Sequence, residues 1–257
     1  MIQVQAPLTK SERIGLGVAL LYLHAPAIAS RARAGQFVMA RCSDSDDPYL
    51  RRPFPLFAIA PPAIAILVRA DEPGRRWLAQ RPAAQTVDIL GPLGRGFSLL
   101  PKTRHLILIG EGLAVAALIA LAATAAGSGL AVTLLAGAPT AATALPASLL
   151  PAAVEYRVAT ADGSLGQQGT VGSLLPDVIC WADQVCAAGS PPLYRALAEA
   201  IARYRLAVEP DFAQVWLLGP VACGLGTCLS CAVEGRRGPL LSCREGPVFT
   251  LREVDIW

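Results

Sequence analysis

The sequence predicts a multi-domain chain that joins an all-β unit to an α/β unit: an antiparallel β-barrel or sandwich, then a parallel sheet with helices, then a small cysteine-bearing C-terminal segment. Three observations predict it. Short apolar runs broken by Pro, Gly and Asp fill residues 1–100. A strand, helix, strand pattern begins at His105, and four of the seven cysteines crowd between Cys223 and Cys243. The expected units are residues 1–100, 101–218 and 219–257, and a chain of 257 residues has length enough for more than one core.

In the first unit Gln36 to Arg41, Ala63 to Arg69 and Thr86 to Leu90 read as strands separated by turn residues, the rhythm of an antiparallel barrel or sandwich. The texture changes after Gly91-Pro92-Leu93-Gly94-Arg95-Gly96-Phe97. His105 to Ile109 is a buried-strand run that ends in Gly110-Glu111-Gly112 and meets an Ala/Leu-rich helix, and Ala131 to Leu135 is the next strand. Two strands joined by a helix pair most economically in parallel. The Ala/Pro-rich stretch from Ala138 to Ala153 reads as a surface loop. Gln184 to Ala188 is a further strand and Pro191 to Leu206 a helix. Leu193, Leu197, Ile201 and Tyr204 share one face of that helix, with Arg195, Glu199 and Arg203 opposite. Gln214 to Leu218 delivers the chain into the cysteines. No internal repeat is evident.

Composition narrows the function. With 22 basic against 19 acidic residues the net charge of +3 is too weak a field for a nucleic-acid binder. A hydrophobic content of 54% raises the question of a membrane. Leu113 to Ala126 is the most apolar stretch, but Gly127-Ser128-Gly129 ends it and Pro139, Pro146 and Pro151 follow, whereas a span needs roughly twenty unbroken residues. Met1 to Lys10 lacks the basic-then-apolar pattern of a secretory signal, so a cytoplasmic protein without a membrane helix is expected.

The cysteines carry the strongest signal. Cys223, Cys228 and Cys231 are separated by four and two residues, and Cys243 follows. The first three match the plant-type [2Fe-2S] pattern, in which one tight loop wraps the cluster and a fourth thiolate arrives from elsewhere. Gly224, Gly226 and Ser230 are small enough to let backbone N–H groups approach the sulfides. Structural zinc is the alternative, but zinc sites usually use two short knuckles rather than three thiols in one loop. Cys42, Cys180 and Cys186 read as ordinary core or surface thiols.

Taken together, the order barrel, parallel sheet and cysteine segment resembles the electron-transfer subunit of the two-subunit dihydroorotate dehydrogenase, within the ferredoxin-reductase superfamily. The resemblance rests on Cys223-Gly-Leu-Gly-Thr-Cys-Leu-Ser-Cys231, on Gly246-Pro247-Val248-Phe249 after the last cysteine, on Leu50 to Phe57 and on Gly91 to Phe97. It implies FAD on the barrel, with Arg52, Pro53, Phe54 and Pro55 on the flavin strand and Arg52 meeting the pyrophosphate through its planar fork. It implies that Leu67, Val68 and Arg69 lie on the next flavin-contacting strand, and that Gly74 and Arg75 open a helix beside the pyrophosphate. Gly110 and Gly112 fall where the family binds NAD(H), and a plain strand-to-helix turn is the alternative reading of the same residues. The four cysteines would hold the [2Fe-2S] cluster.

The implied function is electron transfer between NAD(H), FAD and the cluster, in a hetero-oligomer with a catalytic FMN-containing dihydroorotate dehydrogenase subunit of pyrimidine biosynthesis. No catalytic acid or base is expected, since hydride passes directly between cofactors and the protein orients them. His24 and His105 are too few and too scattered for a metal or acid/base site. A reductase subunit serving a hydrogenase or a ferredoxin:NADP system, and a non-enzymatic homologue with a lost nicotinamide site, are the alternatives.

Several positions depart from the family pattern. Pro55 stands where the family has a hydroxyl residue, Glu72 and Arg75 replace the Gly and Thr of the phosphate loop, and Ala188-Gly189-Ser190 replaces Cys-Gly-Pro. Glu111 interrupts the glycine run and is expected to set a carboxylate near a pyrophosphate, weakening NADH binding. Trp257 is expected to be a packed or frayed end rather than a flavin cover.

Overall fold

The computed structural model describes residues 1–15 and 17–256; Trp257 lies outside them. The first unit is a closed barrel of six antiparallel strands: β1 (Ile2–Gly15), β2 (Val18–His24), β3 (Phe37–Ala40), β4 (Arg52–Ala60), β5 (Ala63–Arg69) and β6 (Thr86–Leu93). Around the barrel they run β1, β2, β5, β4, β3, β6, with β6 returning to β1. Closure leaves no free sheet edge.

Alternation along each strand sorts side chains inward or outward. Leu21 and Leu23 of β2, Val38 of β3, Phe54 and Leu56 of β4, and Ile64, Ile66 and Val68 of β5 fill the interior. The outward set has two separate destinations. Phe37 and Met39 of β3 and Leu93 of β6 pack under the cysteine segment. Leu20 of β2, Ala65 and Leu67 of β5 and Phe57 of β4 pack under the second unit. A bulge between Leu56 and Ala58 shifts the register of β4.

The second unit is a seven-stranded sheet formed by β7 (His105–Glu111), β8 (Ala131–Ala138), β9 (Val154–Thr160), β10 (Gln167–Gln168), β11 (Gln184–Ala188), β12 (Ala213–Trp216) and, beyond a two-stranded hairpin, β15 (Val248–Thr250). The order is β10, β9, β8, β7, β11, β12, β15, parallel throughout except for β15. Strand order therefore reverses between β7 and β11, and the crevice above their carboxyl ends is where open α/β sheets bind ligands.

A short turn, Gly112–Val115, leads into helix α3 (Ala116–Gly127), after the four-residue α1 (Pro26–Ala29) and seven-residue α2 (Pro73–Ala79) of the barrel unit. Helix α3 is buried from Ala116 through Ala122 because it is covered from two sides, by its own sheet and by β4 of the barrel. That explains why the stretch is apolar all round, and no helix among the described residues is long and apolar enough to cross a membrane. Helix α4 (Pro176–Ile179) is short, and α5 (Pro191–Tyr204) buries Leu193 and Leu197 and half-buries Ile201 as its spacing predicts, but it buries Tyr194 as well and leaves Tyr204 exposed at its end. The stretch expected as a loop from Ala138 begins after β8, at residue 139, and runs to 153 with two one-turn helices, Ala141–Thr143 and Ala147–Leu149.

Two buried glutamines fasten the connection between the units. Gln214 of β12 accepts from Ser98 N (3.1 Å) and donates to Ser98 O, while Gln184 of β11 accepts from Leu100 N and the Thr103 hydroxyl, both at 3.0 Å. Trp216 Nε1 donates to Gly35 O of the barrel at 2.8 Å. The hairpin of β13 (Ala232–Val233) and β14 (Leu240–Leu241) lies within the cysteine segment, and β15 brings the chain back to the sheet beside β12.

Candidate flavin and iron–sulfur site

The cysteine loop leaves β12, lies on the outer face of β3 and β6, and returns through β15. Cys231 and Cys243 are buried in one cluster with Phe37, Met39 and Leu93, Cys223 is half-buried and Cys228 is exposed. The thiols form two pairs. Cys231 Sγ lies 3.1 Å from Cys243 Sγ, and Cys223 interacts with Cys228 across the turn. Two thiol pairs could supply two ligands to each iron of a binuclear cluster, so the residues present fit a [2Fe-2S] group.

The loop is shaped to bring N–H groups to sulfur. Gly224 (φ +71°) and Gly226 (φ +79°) take the left-handed backbone, and a Cβ on Gly224 would come within 3.1 Å of Met39 and Leu93. Leu225 N lies 3.3 Å from Cys223 Sγ and the Thr227 hydroxyl 3.6 Å. Against the opposing effect of burial, the N–H groups of Leu225 and Cys228 and the Thr227 hydroxyl bring the Cys223 thiol down to about 5. Burial, with Cys231 beside it, pushes Cys243 up to about 12. Of the remaining cysteines, Cys42 and Cys186 are buried and Cys180 is exposed.

Next to the loop, on β4, lies the strand read as flavin-binding. Phe54 points into the barrel core, so its neighbours Pro53 and Pro55 face outward, half-buried, on the strand beside Met39 and Phe37. On the far side Leu67 of β5 faces outward under the second unit, Val68 is fully buried inside the barrel, and Arg69 is exposed at the strand end. The outer face of β4 thus runs between the cysteine loop and the nucleotide-type sheet, a strip with the apolar character a flavin ring system fits.

Charged residues collect at one end of that strip. Arg52 donates to both carboxylate oxygens of Glu72, from Nε at 2.8 Å and Nη2 at 3.1 Å, and from Nη1 to Leu50 O at 2.6 Å. Hydrogen bonding to Arg52 holds the Glu72 carboxyl below the usual carboxylate range. Asp71 takes Arg69 and Arg75, each at 2.8 Å. Gly74 is buried, and a Cβ there would lie 2.8 Å from Pro48 and 3.1 Å from Cys42, so its lack of a side chain is used in packing α2 against the loop before β4.

At the crevice between β7 and β11, Gly110 has no room for a side chain: a Cβ would lie within 2.9 Å of Val115. Gly112 adopts φ +52° with open space about it. The Glu111 carboxylate turns across the crevice to Ser190, accepting from its hydroxyl at 2.7 Å and its N–H at 3.2 Å, directly before α5. Tyr194 ties the same corner, with its hydroxyl accepting from Gly189 N at 2.9 Å and donating to Trp216 O. Sequence reasoning did not assign the Glu111–Ser190 bridge or the two glutamines; polar residues inside otherwise apolar strands are the signal that could have marked Gln184 and Gln214.

An antiparallel barrel, a doubly wound sheet and a strip between them define the class: the fold is that of the ferredoxin reductases. A solved NADH-dependent reduced ferredoxin-NADP oxidoreductase superposes with a TM-score of 0.84 at 24% identity, over 98% of this chain and 90% of that one. An Amycolatopsis cytochrome P450 reductase superposes with 0.66 at 21% identity, over 83% and 69%. Residues 220–255 match the model of the iron-sulfur cluster binding domain of dihydroorotate dehydrogenase B. Two similar relatives are the dihydroorotate dehydrogenase B (NAD(+)) electron transfer subunits of Desulforamulus reducens and Geobacillus kaustophilus. Each is 34% identical, over 91% of this chain and 90% and 91% of the relative. The chain belongs to the family of dihydroorotate dehydrogenase B electron transfer subunits. The iron–sulfur family model answers the zinc alternative.

Proposed function

We propose that this chain is the electron-carrying part of an NAD-linked dihydroorotate dehydrogenase, an oxidoreductase of pyrimidine biosynthesis. It uses FAD, a [2Fe-2S] cluster and NAD(H), and works in a hetero-oligomer with the catalytic subunit. When bound, FAD and the cluster would supply the exchange between a two-electron nicotinamide donor or acceptor and one-electron transfer to the partner, and the chain's part is to hold them in order. The observation that carries this reading is the position of β4, with the cysteine loop on one side and the crevice-bearing sheet on the other.

In this reading Cys223, Cys228, Cys231 and Cys243 are the cluster ligands, two per iron. Pro53 and Pro55 offer the flat apolar floor of the flavin site, and Leu67 its far wall. Phe54 and Val68 contribute backbone alone, because their side chains are inside the barrel. Arg52 takes a phosphate of FAD, with Arg69, Gly74 and Arg75 around it. Gly110 and Gly112 shape the turn beneath the dinucleotide. Residues 1–100 form the flavin unit, 101–218 the nucleotide unit and 219–257 the cluster segment, and the protein works in the cytoplasm.

The test is a metal and flavin inventory on anaerobically purified protein. About two irons, two acid-labile sulfides and one FAD per chain are expected. One zinc without labile sulfide would overturn the reading. In Cys228→Ser the cluster absorption should vanish while FAD stays on the barrel, since Cys228 is the exposed ligand and lies on the cysteine loop rather than on a barrel strand.

A further inference from the structure

We propose that Glu72 acts as an internal stand-in for the FAD pyrophosphate, occupying the Arg52 fork until the flavin displaces it, and that it thereby sets the flavin affinity of this chain. The inference rests on the reading of Arg52 as the phosphate-binding residue. It goes beyond that reading in giving Glu72 a part in the site.

The geometry is that of a ligand complex. Arg52 meets Glu72 with two parallel bonds, 2.8 Å from Nε to Oε1 and 3.1 Å from Nη2 to Oε2, the fork arrangement guanidinium makes with carboxylate or phosphate alike. Its third nitrogen is on Leu50 O. A phosphate approaching the Nε–Nη2 edge must remove the carboxylate first. Glu72 precedes the first turn of α2, where its side chain makes no capping hydrogen bond and has Arg75 as its neighbour at 3.7 Å.

A destination for the displaced carboxylate is already in place. Arg75 Nε lies 3.7 Å from Glu72 Oε1 on the following turn of chain. Three cations, Arg52, Arg69 and Arg75, share two acids, Asp71 and Glu72. Moving Glu72 from Arg52 onto Arg75 therefore leaves Arg52 as the cation with no acid of this group, which is the state an incoming dianionic pyrophosphate neutralises. The side chains of Arg52 and Glu72 are 23% and 29% exposed, open enough for the exchange and sheltered enough for it to matter.

The experiment is an FAD titration of the full-length protein after flavin removal, followed by flavin fluorescence, for wild type, Glu72→Gln, Arg52→Ala and the double variant. Glu72→Gln should bind FAD about fivefold more tightly, the upper range of an exposed ion pair that no longer competes. Arg52→Ala should weaken FAD and make Glu72→Gln silent. Riboflavin, which has no phosphate, should bind wild type and Glu72→Gln alike. In the flavin-free state Glu72→Gln should melt lower than wild type, since it loses the pair, and show the larger rise on adding FAD. Unchanged or weaker FAD binding in Glu72→Gln overturns the proposal, as does an equal gain in the Arg52→Ala background. Should Arg52→Ala bind FAD as wild type does, the assignment of Arg52 itself fails instead. Glu72→Ser, which keeps a small polar group before the helix, should reproduce the order found with Gln.

Discussion

Side chains decide whether the nucleotide crevice works, and there the structure redirects an expectation. Glu111 interrupts a glycine run, which suggested a carboxylate aimed at a pyrophosphate. In the fold it is held by the Ser190 hydroxyl and N–H across the gap between β7 and β11. The charge still lies in the crevice a nucleotide must enter, and a carboxylate beside a phosphate in a partly dry site is repulsive. Glu111→Gly should therefore speed anaerobic flavin reduction by NADH, read in a stopped-flow instrument as loss of flavin absorbance. An equal or slower rate would mean that the carboxylate stays on Ser190 and clear of the nucleotide. Chemical type was legible at this scale, as in the spacing of the cysteines. Direction was not, because which way Glu72 or Glu111 turns depends on a partner 20 or 79 residues away.

Secondary elements were legible where a short apolar run is bounded by turn residues or where a helix keeps one face in water. Helix α5 shows Leu193 and Leu197 of its buried face in its spacing, though not Tyr194, and Ala63–Arg69 and Gln184–Ala188 coincide with their expected spans. Helix α3 offers no such contrast, since sheet and barrel cover it on both sides, and glycines alone mark its ends. Strand β9 follows a proline-rich loop and alternates with Glu155 and Arg157, so little marks it apart from surface chain. Strand β15 is three residues long and exists only through its pairing with β12. The double burial of α3 has an energetic correlate. Leu118→Ala, at a fully buried position between the two units, should cost about 2–5 kcal/mol, measured by denaturant unfolding of the flavin-loaded protein. A loss below about 1 kcal/mol would show that barrel and sheet close the gap.

For the molecule as a whole, the order of units was readable because each has its own texture, while their seam was not. Gln184, Gln214 and Trp216 make that seam, and each bonds a backbone group far off in sequence. The outer surface around the cysteine loop bears on assembly. Tyr49 and Leu229 are 83% and 61% exposed, and Leu50 and Leu225 are exposed as well, beside Cys228. Exposed apolar groups about the exposed ligand suit a partner that receives electrons there. Tyr49→Glu should weaken co-purification with the catalytic subunit by about tenfold while leaving NADH reduction of the flavin unchanged. Retained binding would place the contact elsewhere. The return of β15 to β12 has a further effect. Leu217 N donates to Pro247 O at 2.8 Å, so the 29 residues between them leave and rejoin the sheet at nearly one point. Such a segment can open and close as its own cooperative unit, without unravelling the strands that carry it. A single tryptic cut at the exposed Arg236 or Arg237 should give two bands under denaturing conditions and one particle by gel filtration. On this expectation the cysteine-bearing end of the molecule would be lost and rebuilt while the sheet stays folded.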